Sequence, residues 1–299
     1  MRILLLGANG QVGFELRRSL AQLGEIVAAT RNGEDGTRVA DLANAASLRA
    51  ALDEANADVV VNAAAYTAVD RAEDEPAAAQ RINGDALAEI GNWAKSRGAL
   101  VVHYSTDYVF DGNGTRPYRE DDATAPLGVY GRSKLAGETA LRASACDHVI
   151  LRTAWVYASR GKNFLLTMLK VGAERDRLRV VDDQRGTPTS ARLIADTTEV
   201  VIDAVLRDRA KLGTYHLCAN GECTWFAFAQ AIFARATGLI ARAPQIEAIT
   251  TADYPTKAAR PRYAVLDTSK LRAAFGVNLP SWQQGLDDVI AELAPNKRV

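Results

Sequence analysis

Cysteine is scarce in this 299-residue chain. Its three cysteines, Cys146, Cys218 and Cys223, are an odd number with no Cys-x-x-Cys pair, which argues against a disulfide framework or a zinc site and for a reducing compartment. An excess of either charge is also missing. Lys and Arg number 36, Asp and Glu number 36, and no basic block stands out, so nothing points to a nucleic-acid partner. No stretch approaches the ~18 uninterrupted apolar residues of a membrane span. The leading run Met1-Arg2-Ile3-Leu4-Leu5-Leu6 is too short for a signal-peptide core and runs directly into glycine, so the expectation is a cytoplasmic protein with no membrane partner. Internal repeats, low-complexity tracts and a linker rich in proline and glycine are lacking as well. What is present, 48% hydrophobic and 24% charged residues, is the profile of a globular chain able to bury a real core in one large or two ordinary domains.

The first apolar run ends in Gly7-Ala8-Asn9-Gly10-Gln11-Val12-Gly13, and residues 14–20 then follow with helical apolar spacing. Strand, glycine turn and helix in that order suit a dinucleotide. The glycines permit a tight turn, close approach of backbone N–H groups to a pyrophosphate and close packing of helix on strand. The spacing carries one residue more than Gly-x-Gly-x-x-Gly.

Strands are expected at 25–30, 58–62, 100–104 and 148–152, and helices at 47–56, 76–96 and about 130–143. This alternation predicts an α/β fold, a doubly wound parallel sheet of the Rossmann type. The second strand ends at Thr30-Arg31-Asn32. No carboxylate stands at that tip in the sequence, and Arg31 suits a 2′-phosphate, so the reading favours NADPH with NADH as an allowed alternative. Asp41-Leu42 is placed to approach the adenine, and the small side chains of Ala63-Ala64-Ala65 let a cofactor lie against backbone.

Tyr130-Gly131-Arg132-Ser133-Lys134 sets a phenol and an ammonium four residues apart, on one face of a helix. A lysine charge nearby stabilises a phenolate, which equips a general acid/base. Ser105-Thr106-Asp107 follows the strand at 100–104, at the carboxyl end where open α/β sheets collect ligands. A hydroxyl there can hold a substrate carbonyl while Tyr130 gives it a proton.

With these segments, Val61 through Asp70, His103 through Phe110 and Arg152-Thr153-Ala154-Trp155-Val156-Tyr157, the chain resembles the extended branch of the short-chain dehydrogenase/reductase superfamily over essentially its whole length. Within that branch it is similar to the reductases of dTDP-linked 4-keto sugars. The resemblance implies reduction of dTDP-4-dehydro-L-rhamnose to dTDP-L-rhamnose, which serves cell-surface polysaccharide synthesis. It implies that Tyr130 protonates the alkoxide, Lys134 lowers the phenol pKa and holds the nicotinamide ribose, and Thr106 tunes the transfer. Gly7, Gly10, Gln11, Val12, Gly13, Thr30, Arg31, Asp41, Leu42, Ala63, Ala64, Ala65, Tyr66 and Thr67 would line the cofactor, with Tyr66 where some relatives have histidine. Thr106, Asp107 and Trp155 would face the sugar and Arg260 the diphosphate.

The same resemblance implies a smaller, discontinuous α/β substrate domain, about 156–189 plus 218–299, set against a dinucleotide domain of 1–155 plus about 190–217. Some relatives form homodimers through magnesium held by acidic residues. Glu15 and Glu292 match two of those positions, but Arg192 occupies the third, and a cation does not replace a metal ligand. An epimerase or dehydratase of the same branch, or a regulatory subunit that binds the dinucleotide without turnover, are the alternative functions.

Overall fold

The computed structural model describes residues 1–294. Seven strands form one parallel sheet: β1 (Arg2–Leu6), β2 (Glu25–Thr30), β3 (Arg38–Val39), β4 (Val59–Asn62), β5 (Leu100–Thr106), β6 (His148–Thr153) and β7 (Gly213–His216). Their spatial order is β7-β6-β5-β4-β1-β2-β3, so the chain winds outward from β1 in one direction, returns, and winds outward in the other. The reversal falls between β1 and β4, whose pairing aligns Leu6 with Asn62, and it opens a crevice at the carboxyl ends of these two strands.

Continuous apolar strands arise because both faces of the sheet are covered. On one face Leu4, Leu6, Val60 and Val101 pack under α2 (Ala45–Ala55) and α3 (Ala86–Arg97). On the other, Ile3, Leu5, Val61 and Val102 pack with Leu16 and Leu20 at the first helix, α1 (Gln11–Ser19), and Ile194 and Val201 of a later one (Ala191–Arg207). Fully buried side chains of this size contribute ~1.5–3 kcal/mol each, and the two-sided core fixes the strand register on which the site depends.

The helix expected at 76–96 is one helical course with a wider turn inside it. Pro76–Gln80 is α-helical, Arg81–Asp85 is a π-helical turn, and α3 continues to Arg97. The wide turn carries Asn83, whose side chain accepts from Tyr66 N at 2.9 Å and donates to Tyr66 O and Ser133 Oγ, both at 3.0 Å. One inserted residue thus ties the loop after β4 to the helix bearing Tyr130, α4 (Val129–Ala143).

Outside the large sheet lie three two-stranded pairs: Val156–Tyr157 with Thr189–Ser190, Arg185–Gly186 with Cys223–Thr224, and Arg177–Val181 with Gln245–Ile249. Helices Phe164–Glu174, Trp225–Arg235 and Trp282–Leu293 supply a separate core around Tyr157, Phe228, Trp282 and Leu286. Among the described residues no helix is long and apolar enough to cross a membrane.

Candidate active site

Gly7 leaves β1 with φ +77°, and a Cβ there would lie 2.7 Å from Ala64 N. A Cβ on Gly13 would lie 2.1 Å from Gly7 O, so neither position accepts a side chain without displacing backbone. Gly10 precedes α1, and no side chain caps that helix. The free N–H groups of its first turn and the bare glycine surface form a cradle that fits a dinucleotide pyrophosphate. Gln11 is braced from the other half of the chain: its Oε1 accepts from Asn163 Nδ2 at 2.8 Å.

At the next strand tip, Thr30 is buried and bonded to Thr37 Oγ1 at 2.8 Å. Arg31 is exposed and stands 4.0 Å from Asp41. From the sequence no carboxylate is expected at this tip, and the folded loop corrects that expectation by bringing Glu34 to it. Gly33 adopts φ +70° and turns the chain back, so that Glu34 accepts from Asn9 Nδ2 at 3.1 Å and Asn32 Nδ2 at 3.3 Å. Leu42 is turned into the core. Ala63, Ala64 and Ala65 follow β4; Ala63 N bonds Leu6 O and Ala64 N bonds Asn62 Oδ1. Tyr66 donates its hydroxyl to Glu75 at 2.8 Å, and Thr67 is exposed.

The start of α4 is positioned by Glu73, whose Oε1 accepts from Val129 N at 2.8 Å, the role of an N-cap that Gly128 lacks a side chain to play. Tyr130 then sits edge-on to Tyr108, ring centroids 5.7 Å apart. Burial pushes its phenol up to about 12, opposed by a bond to Thr106 and reinforced by the Asp107 charge. This is the opposite direction from the sequence expectation, because Lys134 spends its contacts elsewhere: Nζ donates to Tyr104 O at 2.6 Å and lies 3.1 Å from His103 Nε2. Burial lowers Lys134 to about 7, against the opposing influence of Glu138. A protonated phenol is nevertheless the form that can donate.

Thr106 Oγ1 donates to Asp107 Oδ1 at 2.8 Å, and Asp107 Oδ2 is buried without a partner. Burial pushes the Asp107 carboxyl up to about 7 despite the bond from Thr106. The pairing of Thr106 with Thr153 brings the end of β6 alongside. Two residues on, Trp155 has φ +45°, a strained conformation costing ~1–3 kcal/mol for a bulky residue. Its indole stacks on Trp225, centroids 3.4 Å apart and planes within 6°. Arg260 donates to Asp70 at 2.7 Å, lies 6.0 Å from the Tyr108 ring, and keeps Nη1 buried and unbonded. Thr106, Asp107, Tyr130 and Arg260 therefore share the surroundings of Tyr108.

Glu15 and Glu292 are not in this group. Glu15 pairs with Arg18 at 3.7 Å, while Glu292 accepts from Arg192 Nη1 at 3.0 Å and Ser159 Oγ at 3.0 Å. Among the described residues no three His, Cys, Asp or Glu side chains gather as a metal site. A guanidinium already neutralises Glu292, so the arrangement does not fit a divalent ion there.

Sequence reasoning did not assign sites to Asn62, Asn83, His103, Glu138 or Trp225. A histidine in the middle of a fully buried strand was the available signal for His103; Trp225 gave none, because it arrives from a distant helix.

The family model described as RmlD substrate binding domain matches residues 1–294. The dTDP-4-dehydrorhamnose reductase of Escherichia coli K12 is 45% identical over 295 residues, 98% of each chain. A dTDP-4-dehydrorhamnose reductase from Clostridium acetobutylicum superposes with a TM-score of 0.89 at 35% identity, covering 98% of this chain and 99% of that one. The Bacillus anthracis enzyme of the same name, solved in complex with NADP, gives 0.87 at 32% identity, covering 97% and 99%. With the dinucleotide cradle, the switch-point crevice and these likenesses along the whole length, the chain belongs to the dTDP-4-dehydrorhamnose reductases, NAD(P)H-dependent oxidoreductases of the extended short-chain dehydrogenase/reductase superfamily.

Proposed function

We propose that this chain reduces the 4-keto group of dTDP-4-dehydro-L-rhamnose to dTDP-L-rhamnose, with Tyr130 as the proton donor. NADPH, when bound, supplies the hydride. Gly7, Gly10 and Gly13 admit its pyrophosphate, Arg31 attracts a 2′-phosphate, and Lys134 holds the nicotinamide ribose. The phenol of Tyr130 gives its proton to the alkoxide oxygen formed at C4, so ketone, hydride and proton balance to the alcohol. Thr106 holds that oxygen in line, Asp107 and Trp155 orient the sugar, and the unbonded Nη1 of Arg260 takes a diphosphate oxygen.

The observation that carries this reading is the gathering of Tyr130, Thr106, Asp107 and Arg260 around Tyr108, at the carboxyl end of β5. We further propose that the dinucleotide half comprises 1–155 plus about 190–217 and that about 156–189 plus 218–299, of which 295–299 lie outside the described residues, forms the substrate half, since β7 returns to the large sheet and the three small sheets lie outside it. The NADP held by the Bacillus anthracis relative supports the choice of NADPH.

The test is to mix the protein with NADPH and dTDP-4-dehydro-L-rhamnose and follow the loss of nicotinamide absorbance. Turnover by wild type is expected. Tyr130→Phe should bind NADPH as wild type does and lose about 10²-fold or more in kcat, the usual worth of a positioned proton donor. No wild-type turnover would remove the reductase reading, and full activity in Tyr130→Phe would remove the assigned role.

A further inference from the structure

Lys134 is 2% exposed, and its amine meets two groups on β5. The Tyr104 carbonyl accepts one of its hydrogens at 2.6 Å; the other neighbour, at 3.1 Å, is Nε2 of the fully buried His103. The second ring nitrogen of His103, Nδ1, lies 3.2 Å from Nδ2 of Asn62, its partner in register across β4 and β5. Asn62 is itself buried, and its Oδ1 accepts from Ala64 N at 3.1 Å.

These contacts settle where the protons are. A backbone N–H only donates, so the amide atom facing Ala64 is the oxygen, and the NH₂ group faces His103. An NH₂ group also only donates, so Nδ1 accepts and carries no hydrogen. A neutral imidazole has one N–H, which must then sit on Nε2, aimed at Lys134. An ammonium has no lone pair to receive it, and two donors would face each other with no water between them. A neutral amine accepts from Nε2 and still donates to Tyr104 O.

We infer that His103 is a positioning residue for the proton chemistry of this site: locked by Asn62 in its Nε2–H form, it holds Lys134 as a neutral amine in the ligand-free protein. The other charged or titratable groups around Lys134 leave this balance in place. Glu138, one turn along α4, has its carboxylate bonded to Arg152 of β6 and to Arg142, and Tyr130, one turn back, is protonated. Burial holds His103 well below the ordinary imidazole range, in agreement with a neutral ring. An amine poised this way can accept or release a proton near neutral pH, so Lys134 can act as a reservoir for the Tyr130 phenol. Only this kinetic consequence rests on the proposed reductase mechanism.

The tautomer can be read directly from nitrogen NMR of ligand-free protein labelled with ¹⁵N-histidine. The three histidines are His103, His148 and His216, and the His103 signals are assigned by their loss in His103→Gln. The expected pattern is a protonated Nε2 and an unprotonated Nδ1 from pH of about 6 to about 9. An Nδ1–H ring or an imidazolium at His103 overturns the inference whether or not the enzyme turns over.

Asn62→Asp supplies the kinetic arm. Its carboxylate should draw the ring proton to Nδ1, give Nε2 a free lone pair and favour the ammonium of Lys134. The ¹⁵N pattern should invert, and the apparent pKa of Lys134 in the kcat/KM profile should rise by about one unit or more. An inverted ring with an unmoved profile would overturn the link to Lys134. If Asn62→Asp does not fold, the wild-type spectrum decides alone. Absence of wild-type turnover, with the expected spectrum, would refute the reductase reading and leave this inference standing.

Discussion

Arg152 and Glu138 form a two-point ion pair out of contact with solvent, Nε to Oε1 at 2.9 Å and Nη2 to Oε2 at 2.8 Å. It fastens β6 to α4, and so sets the depth at which the helix carrying Tyr130 and Lys134 lies on the sheet. Burial pushes the Glu138 carboxyl up, but Arg152, Ser105 and Arg142 together outweigh it and hold the pKa below the ordinary carboxylate value. A lowered folded pKa gives stability that is complete above the unfolded value of ~4.3 and lost as pH falls through the folded one. Urea unfolding should therefore show the Glu138 contribution disappearing below pH of about 4.3. Glu138→Gln should lose ~3–5 kcal/mol at neutral pH, because it strands the buried Arg152 charge. The double variant Glu138→Gln/Arg152→Met should recover part of that loss, and equal stability of the two variants would refute this account.

The parallel sheet was legible because strands buried on both faces read as unbroken apolar runs, as in 58–62 and 100–104. The glycine turn and the Tyr130–Lys134 spacing were legible because each is a local pattern. What escaped depended on neighbours distant in the chain. Helical spacing put Lys134 one turn from Tyr130, but the partner of its amine was chosen by β5. Glu34 reached the strand tip only through the left-handed turn at Gly33, and Trp225 met Trp155 from across the small sheets. Strands of two residues, such as Val156–Tyr157 and Arg185–Gly186, carry no readable period.

The glycine cradle gives a graded prediction. A Cβ at Gly13 would sit 2.1 Å from Gly7 O, whereas one at Gly10 would sit 3.3 Å from the same atom. Gly13→Ala should force α1 away from the turn and weaken NADPH binding by about tenfold or more, a loss of ~1.4 kcal/mol. Gly10→Ala should weaken it less. Fluorescence titration of NADPH measures both, and the reverse order would show that the pyrophosphate does not lie against this turn.

Arg31 and Glu34 place opposite charges beside one strand tip. A guanidinium favours a 2′-phosphate and a carboxylate opposes it, so the two residues should tune cofactor choice in opposite directions. Arg31→Ala is expected to raise the KM for NADPH more than that for NADH. Glu34→Gln is expected to lower the KM for NADPH relative to NADH. Equal changes for the two cofactors in either variant would mean that the residue does not read the phosphate.

Arg192 stands between Glu292, at 3.0 Å, and Asp196, at 4.0 Å, on an open surface. The guanidinium supplies Glu292 with the positive charge a cation would otherwise bring, Asp196 being paired already with Arg18 at 2.5 Å, and an exposed pair of this kind is worth ~0–1 kcal/mol. Arg192→Gln should therefore shift stability by less than about 1 kcal/mol. Adding EDTA to ligand-free wild type should leave its melting temperature unchanged, since a metal bound only to the folded state would have stabilised it by mass action. A drop of several degrees on chelation, restored by magnesium, would place a metal in this chain and overturn the reading of Arg192 as its substitute.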